Sequence, residues 1–475
     1  NLMGENNLKK ITIIGAGVGG LYAALKFCEK GYSVNLLERN HMVGGLSANI
    51  PINGYNIDIG PHYMTLKRES KITDEIFGMI GKNNIIEIKN IEKSYLSYYN
   101  HKILNSFPTI TDAIFSSGLK SLTYSVISIM KKNRTPLNDN HTSAKNYLKA
   151  CFGDYLYQLW CEPYLEQNFG TTDLPLEYVK NRFKPITIKK IIKKFLDKKK
   201  NSNEVKIKKT PDKYIDCYFR NGIGSLVKIL EKQIIEKKGN IILNANITCI
   251  NHKNKIINYK IGNEEFILKT DKIIYATSPK ITSKLFQNVK KNETNIKKTH
   301  LNSIMVCFFI NSKKLFNGWI VSVFDTKIPF FRLSQQNFLS ENISPKNKTL
   351  LTAEIRLDEN NELWSKNDDE IRVLVEDNLK KMGILKNDEI DGFKLFRFPN
   401  LYPKFTSEQK NSNFEGNEIL KNAENEYFLG GTQIDTGRFV NAESKINDDH
   451  VPSTGGIYNA ISNGKKLVEN ILKSD

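Results

Sequence analysis

The sequence predicts an α/β protein built on a Rossmann-like domain, and three observations carry that expectation. "KKITIIGAGVGGLYAALKFCEKGYSVNLLERN", near the N-terminus, reads as strand, glycine turn, helix and second strand. The chain has 475 residues, too many for one compact core and suited to two or three domains. It is 40% hydrophobic and 10% aromatic, enough to bury a sizeable interior rather than stay disordered.

Lys10 precedes an apolar run, Ile11 to Ile14, that suits a buried parallel strand. Gly15, Gly17 and Gly20 then spell G-x-G-x-x-G. The first glycine permits a tight turn, the second lets a pyrophosphate approach the backbone, and the third lets helix and strand pack closely. A helix opening near Gly19 offers unpaired N–H groups and the positive end of its dipole to phosphate. "SVNLLE" ends at Glu38, where a carboxylate can take both hydroxyls of an adenosine ribose and disfavours a 2′-phosphate. A glycine-rich turn without a ligand is the plain alternative, but the strand–turn–helix–strand setting favours a dinucleotide.

The formal charge of +19 invites a nucleic-acid or anionic-membrane partner. Lysine, asparagine and isoleucine are abundant throughout, however, and no zinc-finger, RNP or helix-turn-helix pattern accompanies the charge, so no nucleic acid is expected. Six scattered cysteines (28, 151, 161, 217, 249, 307) contain no C-x-x-C pair, which argues against a disulfide framework or a metal site. No apolar run reaches 18 residues, and "NLMGENNLKK" lacks a signal-peptide core. The expectation is a cytoplasmic protein.

After Glu38 comes "RNHMVGGLSAN", and with it the sequence resembles the FAD-dependent amine oxidase superfamily. That group includes protoporphyrinogen oxidases, phytoene desaturases and, more distantly, UDP-galactopyranose mutases. The resemblance implies FAD as cofactor, bound by a Rossmann-like (GR2-type) domain with an inserted mixed α+β substrate domain. It lays Gly44, Gly45 and Ser47 along the ribityl–pyrophosphate stretch. Arg39 could reach phosphate or be a solvated charge.

The likeness runs on in order. "FGDYLYQLWCEPYLEQNFGTTDLPLEYVKNRFKP" looks like a helical substrate-domain segment. In "YFRNGIGSLVKILEKQIIEKKGNIILNANITCI", a turn at Gly222 and Gly224 leads into an amphipathic helix and a strand, "IILNANI". The family passes that strand by the adenine, with Ile247 at the backbone contact. "DKIIYATSP" is expected to return past the cofactor, and "NEYFLGG" to be a strand entering Gly430-Gly431. "STGGIYNAISNGKKLVENIL" follows as loop and helix, with Gly455, Gly456 and Ile457 at the flavin end. Ile457, Ala460, Ile461, Leu467 and Ile471 fall on roughly one face. Residues 1–70, 205–285 and 420–475 then build the FAD domain. A mostly helical insertion (71–204) and a mixed one (286–419), with "SIMVCFFI" as a buried strand, build the substrate domain.

"GYNIDIGPHYMT" resembles the turn by which the family chain returns to the flavin after a short hairpin. His62 is therefore expected beside the isoalloxazine, tuning it or moving a proton, or else holding its own turn by a hydrogen bond. The leading expectation is hydride removal from an organic substrate, lipid-soluble or sugar-derived, with oxygen or a quinone as acceptor. The alternative is a UDP-galactopyranose mutase-like isomerase, which needs arginines for a diphosphate. Arg182 and Arg332 are the candidates, each with a bland reading as a surface charge or a snorkelling strand end. The final segment has Gly437-Arg438-Phe439 and Asn441 but no tyrosine where mutase-like members place one, so oxidoreductase leads. A non-catalytic flavin-bound protein is the third reading.

Residues 184–213 hold twelve lysines against three acids, with isoleucines interleaved as on a basic amphipathic helix. Peripheral contact with an anionic membrane is one reading of this stretch, and a solvated inter-domain loop the other.

Overall fold

The computed structural model describes residues 8–105, 110–131, 143–176, 212–277, 300–358, 360–385, 390–403, 427–428 and 456–474, with a few isolated positions between them. Arg182, Gly430, Gly431, Gly455 and nearly all of the lysine-rich stretch lie outside the described residues.

The first apolar run forms the strand Lys10–Ile14 at the centre of a five-stranded sheet. Its order is Asn240–Ile242, Ser33–Leu37, Lys10–Ile14, Lys272–Tyr275, Tyr427–Phe428, all parallel. Alternation along the strands sends side chains to two cores. Ile11, Ile13, Val34, Leu36 and Ile274 join the helices on one face, while Ile14, Leu37, Ile273 and Tyr275 pack beneath an antiparallel sheet of Asn246–Asn251, Ile256–Ile261 and Glu264–Lys269.

The helix Val18–Glu29 is apolar nearly all round, with Val18 to Leu25, Phe27 and Cys28 buried. It needs to be, because helices Gly224–Glu236 and Gly456–Ser474 both flank it. Gly464 permits the second approach: a Cβ there would lie 3.2 Å from the Gly19 carbonyl oxygen and from the Tyr22 ring. Of the face expected on the C-terminal helix, Ala460, Ile461 and Ile471 are buried and Ile457 and Leu467 half-buried.

"IILNANI" is not one strand. Asn240–Ile242 pairs in the parallel sheet, and the chain then bends at Asn244, whose φ is 56°. The Asn244 N–H donates to the Asn40 carbonyl (3.0 Å) and that of Ala245 to Glu38 (2.8 Å), turning the chain into the separate strand from Asn246. Asparagine tolerates the left-handed region, so "LNAN" carried a turn signal.

A seven-stranded sheet forms the second body. Its order is Ile390–Pro403, His300–Ile310, Thr349–Leu357, Arg332–Gln335, Ile320–Val323, Tyr95–Tyr99, Lys102–Leu104. The predicted buried strand is His300–Ile310, buried along both faces from Leu301 onward. Ile304, Val306, Phe308 and Ile310 join a core that includes Ile371, Val375 and Leu379 of the helix Asp368–Lys381. Met305, Cys307 and Phe309 face the core beneath the parallel sheet, where Phe309 stacks on Tyr55 at 4.5 Å. One strand thereby ties two cores together.

Residues 71–204 carry helices at Lys71–Ile80, Ile110–Ser116, Leu119–Lys131, Ala144–Phe152 and Glu162–Phe169. They also carry the strands Ile85–Glu87, Tyr95–Tyr99 and Lys102–Leu104. Tyr95–Tyr99 pairs in parallel with Ile320–Val323, a partner too distant in sequence for any local pattern to announce. All six cysteines are free, and no helix among the described residues is long and apolar enough to cross a membrane.

Candidate functional site

The three glycines of the first turn differ in what they avoid. Gly15 has φ +104°, and a Cβ there would lie 2.8 Å from the Ala276 carbonyl oxygen, so the "DKIIYATSP" strand does return against the turn. At Gly20 a Cβ would lie 2.1 Å from the Gly15 carbonyl oxygen, the close packing expected of the third glycine. At Gly17 it would meet nothing within 4 Å. Steric demand from the protein therefore does not explain Gly17, whose neighbourhood is open space at the head of a helix. Gly17 caps that helix without a side chain, and no acid stands in its first turn, an arrangement that suits an anion.

The second glycine pair comes to the same place. Gly44 N–H donates to the Ala16 carbonyl at 2.7 Å, and Gly17 and Gly44 form a bridge. A Cβ on Gly45 would be 3.8 Å from Gly17 Cα, and one on Gly44 only 2.8 Å from the Val227 side chain. Ser47 is half-buried one turn on, its N–H on the Gly44 carbonyl at 3.0 Å.

Glu38 is buried at the end of its strand. Its Oε2 accepts the Ala16 N–H at 2.9 Å, and its Oε1 accepts the Asn40 N–H and side-chain amide, each at 2.9 Å. All three donors are neutral N–H groups at the rim of the glycine turn. Arg39 is exposed, Ile247 is half-buried opposite Tyr259, and Gly456 and Ile457 are half-buried at the start of the last helix. That helix is fastened by Tyr458, whose hydroxyl meets Ser70 Oγ at 2.8 Å.

From Gly45 the chain runs through the hairpin Asn49–Ile52/Tyr55–Asp58, closed by Asn53 and Gly54 at φ 50° and 82°. An Asn-Gly pair with both φ positive is the turn whose twist matches such strands. The chain then enters Gly60-Pro61-His62. His62 is half-buried, and its Nε2 lies 2.7 Å from the Ile59 carbonyl oxygen. A carbonyl only accepts, so Nε2 carries the hydrogen and Nδ1 the lone pair. Burial, then the Arg332 guanidinium, hold the imidazole below its ordinary pKa against the opposing Ile59 carbonyl and Glu354 carboxylate. The neutral ring is thus the resting form near pH 7.

Arg332 lies directly opposite Glu354 in the sheet, and Nε and Nη2 donate to the two carboxylate oxygens at 2.7 Å each. Glu354 is 3% exposed at its side chain and Arg332 26%. Gly60 has φ +86°, which is what calls for glycine there, and a Cβ on it would make only ordinary contacts with Glu354 Oε2 (3.6 Å), His62 Nε2 (3.7 Å) and Arg332 Nη2 (3.9 Å), three groups that this turn brings together. Trp319 packs against Tyr63 and Tyr95 at 5.6 and 5.9 Å. Burial, then Tyr63, push the Tyr95 phenol up, and Arg332 pulls it down.

Sequence reasoning singled out Arg332 and His62 but not what joins them. Glu354 had one signal, a lone acid inside the apolar run "LLTAEIRL". Asp58 was missed as well. It is 2% exposed, and its carboxylate accepts the Tyr218 hydroxyl, the Asn49 amide and the Ile223 N–H. Gln336 clamps its backbone from both sides, at 2.9 Å each. Burial pushes the carboxyl up to about 7 despite those three donors. Gly222 and Gly224 leave the room: a Cβ on either would run into the Asn49 side chain. This brace fixes the strand that delivers His62.

Comparison with known proteins adds to this geometry. The family described as NAD(P)-binding Rossmann-like domain matches residues 13–77. The chain is 32% identical over 99 residues to a 4,4'-diapolycopene oxygenase of Methylomonas sp, covering 20% of this chain and 19% of that one. It is 33% identical over 102 residues to a 4,4'-diapophytoene desaturase of Staphylococcus aureus (strain COL), covering 21% and 20%. The matches thus span about a fifth of these curated relatives. A solved structure of reduced UDP-galactopyranose mutase superposes with a TM-score of 0.75 at 15% identity, covering 98% of this chain and 96% of that one. A structure from Exiguobacterium sp., named as a candidate protoporphyrinogen oxidase, gives 0.67 at 16%, covering 98% and 99%. At such identities the likeness is one of fold.

Proposed function

We propose that this chain, whose sequence matches and fold support the FAD-dependent amine oxidase-like superfamily, is an FAD-dependent oxidoreductase. The observation that carries the reading is the meeting of the two glycine segments, Gly15–Gly20 and Gly44–Gly45, over open space beside Gly17. The chain fits the cofactor there: Gly17 and the helix head would take the pyrophosphate, Glu38 the adenosine ribose, and Gly44, Gly45 and Ser47 the stretch beyond it. Ile247, Gly456 and Ile457 are assigned to the adenine and flavin ends, with Gly430, Gly431 and Gly455 completing the set. When bound, FAD would supply a ring that takes a hydride from a substrate carbon and passes the electrons to oxygen, a quinone or another carrier.

The division into an FAD domain (1–70, 205–285, 420–475) and a substrate domain (71–204, 286–419) has support in the sheets. Every strand of the five-stranded sheet falls in the first set of ranges and every strand of the seven-stranded sheet in the second. Substrate would enter between them, bounded by His62 and the Tyr63–Trp319–Tyr95 aromatics. His62, with its lone pair on Nδ1, would accept a proton released as the substrate is oxidised, and would lose that capacity as pH falls below its lowered pKa.

The isomerase reading asks Arg182, which lies outside the described residues, and Arg332 to hold a diphosphate. Two of the five donors of the Arg332 guanidinium are already committed to Glu354, whose charge cancels its own, and this favours oxidoreduction. The test is the reoxidation of photoreduced, protein-bound flavin, first in air and then with a quinone under nitrogen. Rapid discharge to either acceptor is expected. A reduced flavin that persists against both would overturn the reading and bring UDP-sugars forward as substrates.

A further inference from the structure

Two glutamines stand side by side where the strand Arg332–Gln335 ends, and both are sealed inside, Gln335 at 1% exposure and Gln336 at 2%. A buried amide costs free energy unless it is hydrogen-bonded, so the groups each one meets show what it holds. Gln335 accepts the Leu315 N–H at 2.6 Å and donates to the Phe316 and Gly318 carbonyls at 3.3 and 3.1 Å. It shapes the loop that leads into Trp319. Gln336 reaches instead to the hairpin that precedes His62. Its Oε1 accepts the Asp58 N–H and its Nε2 donates to the Asp58 carbonyl, both at 2.9 Å.

Those two bonds are the pair that a residue on an antiparallel neighbour would exchange with Asp58, so the side chain stands in for a strand that is not there. They also settle the amide's orientation, since turning it over would set oxygen against the Asp58 carbonyl. Asn49, Tyr218 and Ile223 hold the Asp58 carboxylate. Of the described residues bonded to Asp58, Gln336 alone lies in the segment that carries Arg332. From this clasp His62 is four residues on and Arg332 four residues back, and the turn at Gly60 brings the two together. Ile59, whose carbonyl takes the His62 Nε2 hydrogen at 2.7 Å, directly follows the clasped residue.

We propose that Gln336 is a positioning residue for His62: its clasp on the Asp58 backbone sets how closely His62 approaches Arg332 from the other sheet. The inference rests on the reading of His62 as proton acceptor in the oxidation and adds what holds it in place. Arg332 and Glu354 are the charged groups that face the ring; burial, then Arg332, favour its neutral form, and Glu354 opposes them. Releasing the clasp lets the histidine segment draw away from the guanidinium and admits water, and both changes favour the imidazolium.

NMR titration of the full chain carrying isotope-labelled histidine, with and without added FAD, tests the assignment, the His62 signal being the one that His62→Gln removes. Gln336→Met keeps the length of the side chain without its amide and is expected to shift the His62 midpoint upward, toward that of an ordinary histidine. Gln335→Met removes an equally buried amide next door and is expected to leave the His62 midpoint where it was, although both variants lose thermal stability. If Gln336→Met does not fold, Gln336→Asn, whose amide stops one methylene short of Asp58, is expected to move the midpoint the same way. A His62 midpoint unchanged in a folded Gln336 variant, or raised as far by Gln335→Met, would overturn the proposal. The titration needs no flavin, so a chain that takes up no FAD would overturn the functional reading while the effect of the clasp on His62 is still measured.

Discussion

In the parallel sheet the residues at the turn after the first strand are glycines, and the useful feature is a side chain that is not there. In the seven-stranded sheet the corresponding places hold charge: Arg332 and Glu354 pair across two strands, and the turn at Gly60 brings His62 beside them. Room on one side and committed charge on the other respond differently to substitution. Space is lost when an atom is added, whereas a paired charge becomes a liability when its partner is removed.

The largest expected effect tests the charged half. Glu354→Leu leaves the half-buried Arg332 without its carboxylate and is expected to cost about 3–5 kcal/mol, whereas Arg332→Met/Glu354→Leu together recover most of that loss. Chemical denaturation of the two variants checks it, and equal losses would mean the pair matters for packing alone.

Asp58 sharpens the comparison through pH. Burial pushes its carboxyl up to about 7, above the ordinary carboxylate range, so the folded state binds the proton more tightly than the unfolded state. Its contribution to stability is therefore greatest at low pH, declines as pH rises from about 4 to about 7, and is flat above that, a change on the order of 2–4 kcal/mol. Asp58→Asn keeps the shape, with its Oδ1 still accepting the Asn49 amide and the Ile223 N–H and its NH2 donating to the Tyr218 hydroxyl, and is expected to remove most of this slope in melting temperatures measured across the range. A slope unchanged in the variant would assign the pH dependence to other groups.

Next come two glycines of one turn. Gly20→Ala drives a Cβ into the Gly15 carbonyl and is expected to destabilise by about 1–3 kcal/mol. Gly17→Ala meets no protein atom, has an ordinary φ of −68°, and is expected to leave stability within about 0.5 kcal/mol while weakening FAD by about tenfold or more. Thermal melts with and without FAD separate the two. The smallest effect lies far from either site: Asn367→Ala breaks the capping box with Glu370 at the head of Asp368–Lys381, at about 1 kcal/mol.

How much was legible follows the same division. The glycine turn and Glu38 are local, each residue answering to a torsion or a neighbour a few positions away, so short spacings reveal them. Arg332 could be named from its motif, but its partner Glu354 is supplied by strand register, and the brace around Asp58 is assembled from Asn49, Tyr218, Ile223 and Gln336. Register between distant strands leaves no trace in a local pattern. The same reason hid Tyr95–Tyr99 as a sheet member, since its parallel partner lies in the other insertion. The single strand expected over "IILNANI" is two, because the left-handed backbone at Asn244 breaks it.

The central claim is that this chain holds FAD by its ADP half, through Gly17, the helix head and Glu38. The most direct measurement is a competition between FAD and FMN for the flavin-stripped protein, followed by protein-bound flavin absorbance, on the native chain and on Glu38→Gln. Retention of FAD with exclusion of FMN, and a weakened FAD complex in the variant, is the result expected. Uptake of neither flavin, or of FMN as readily as FAD, would contradict it.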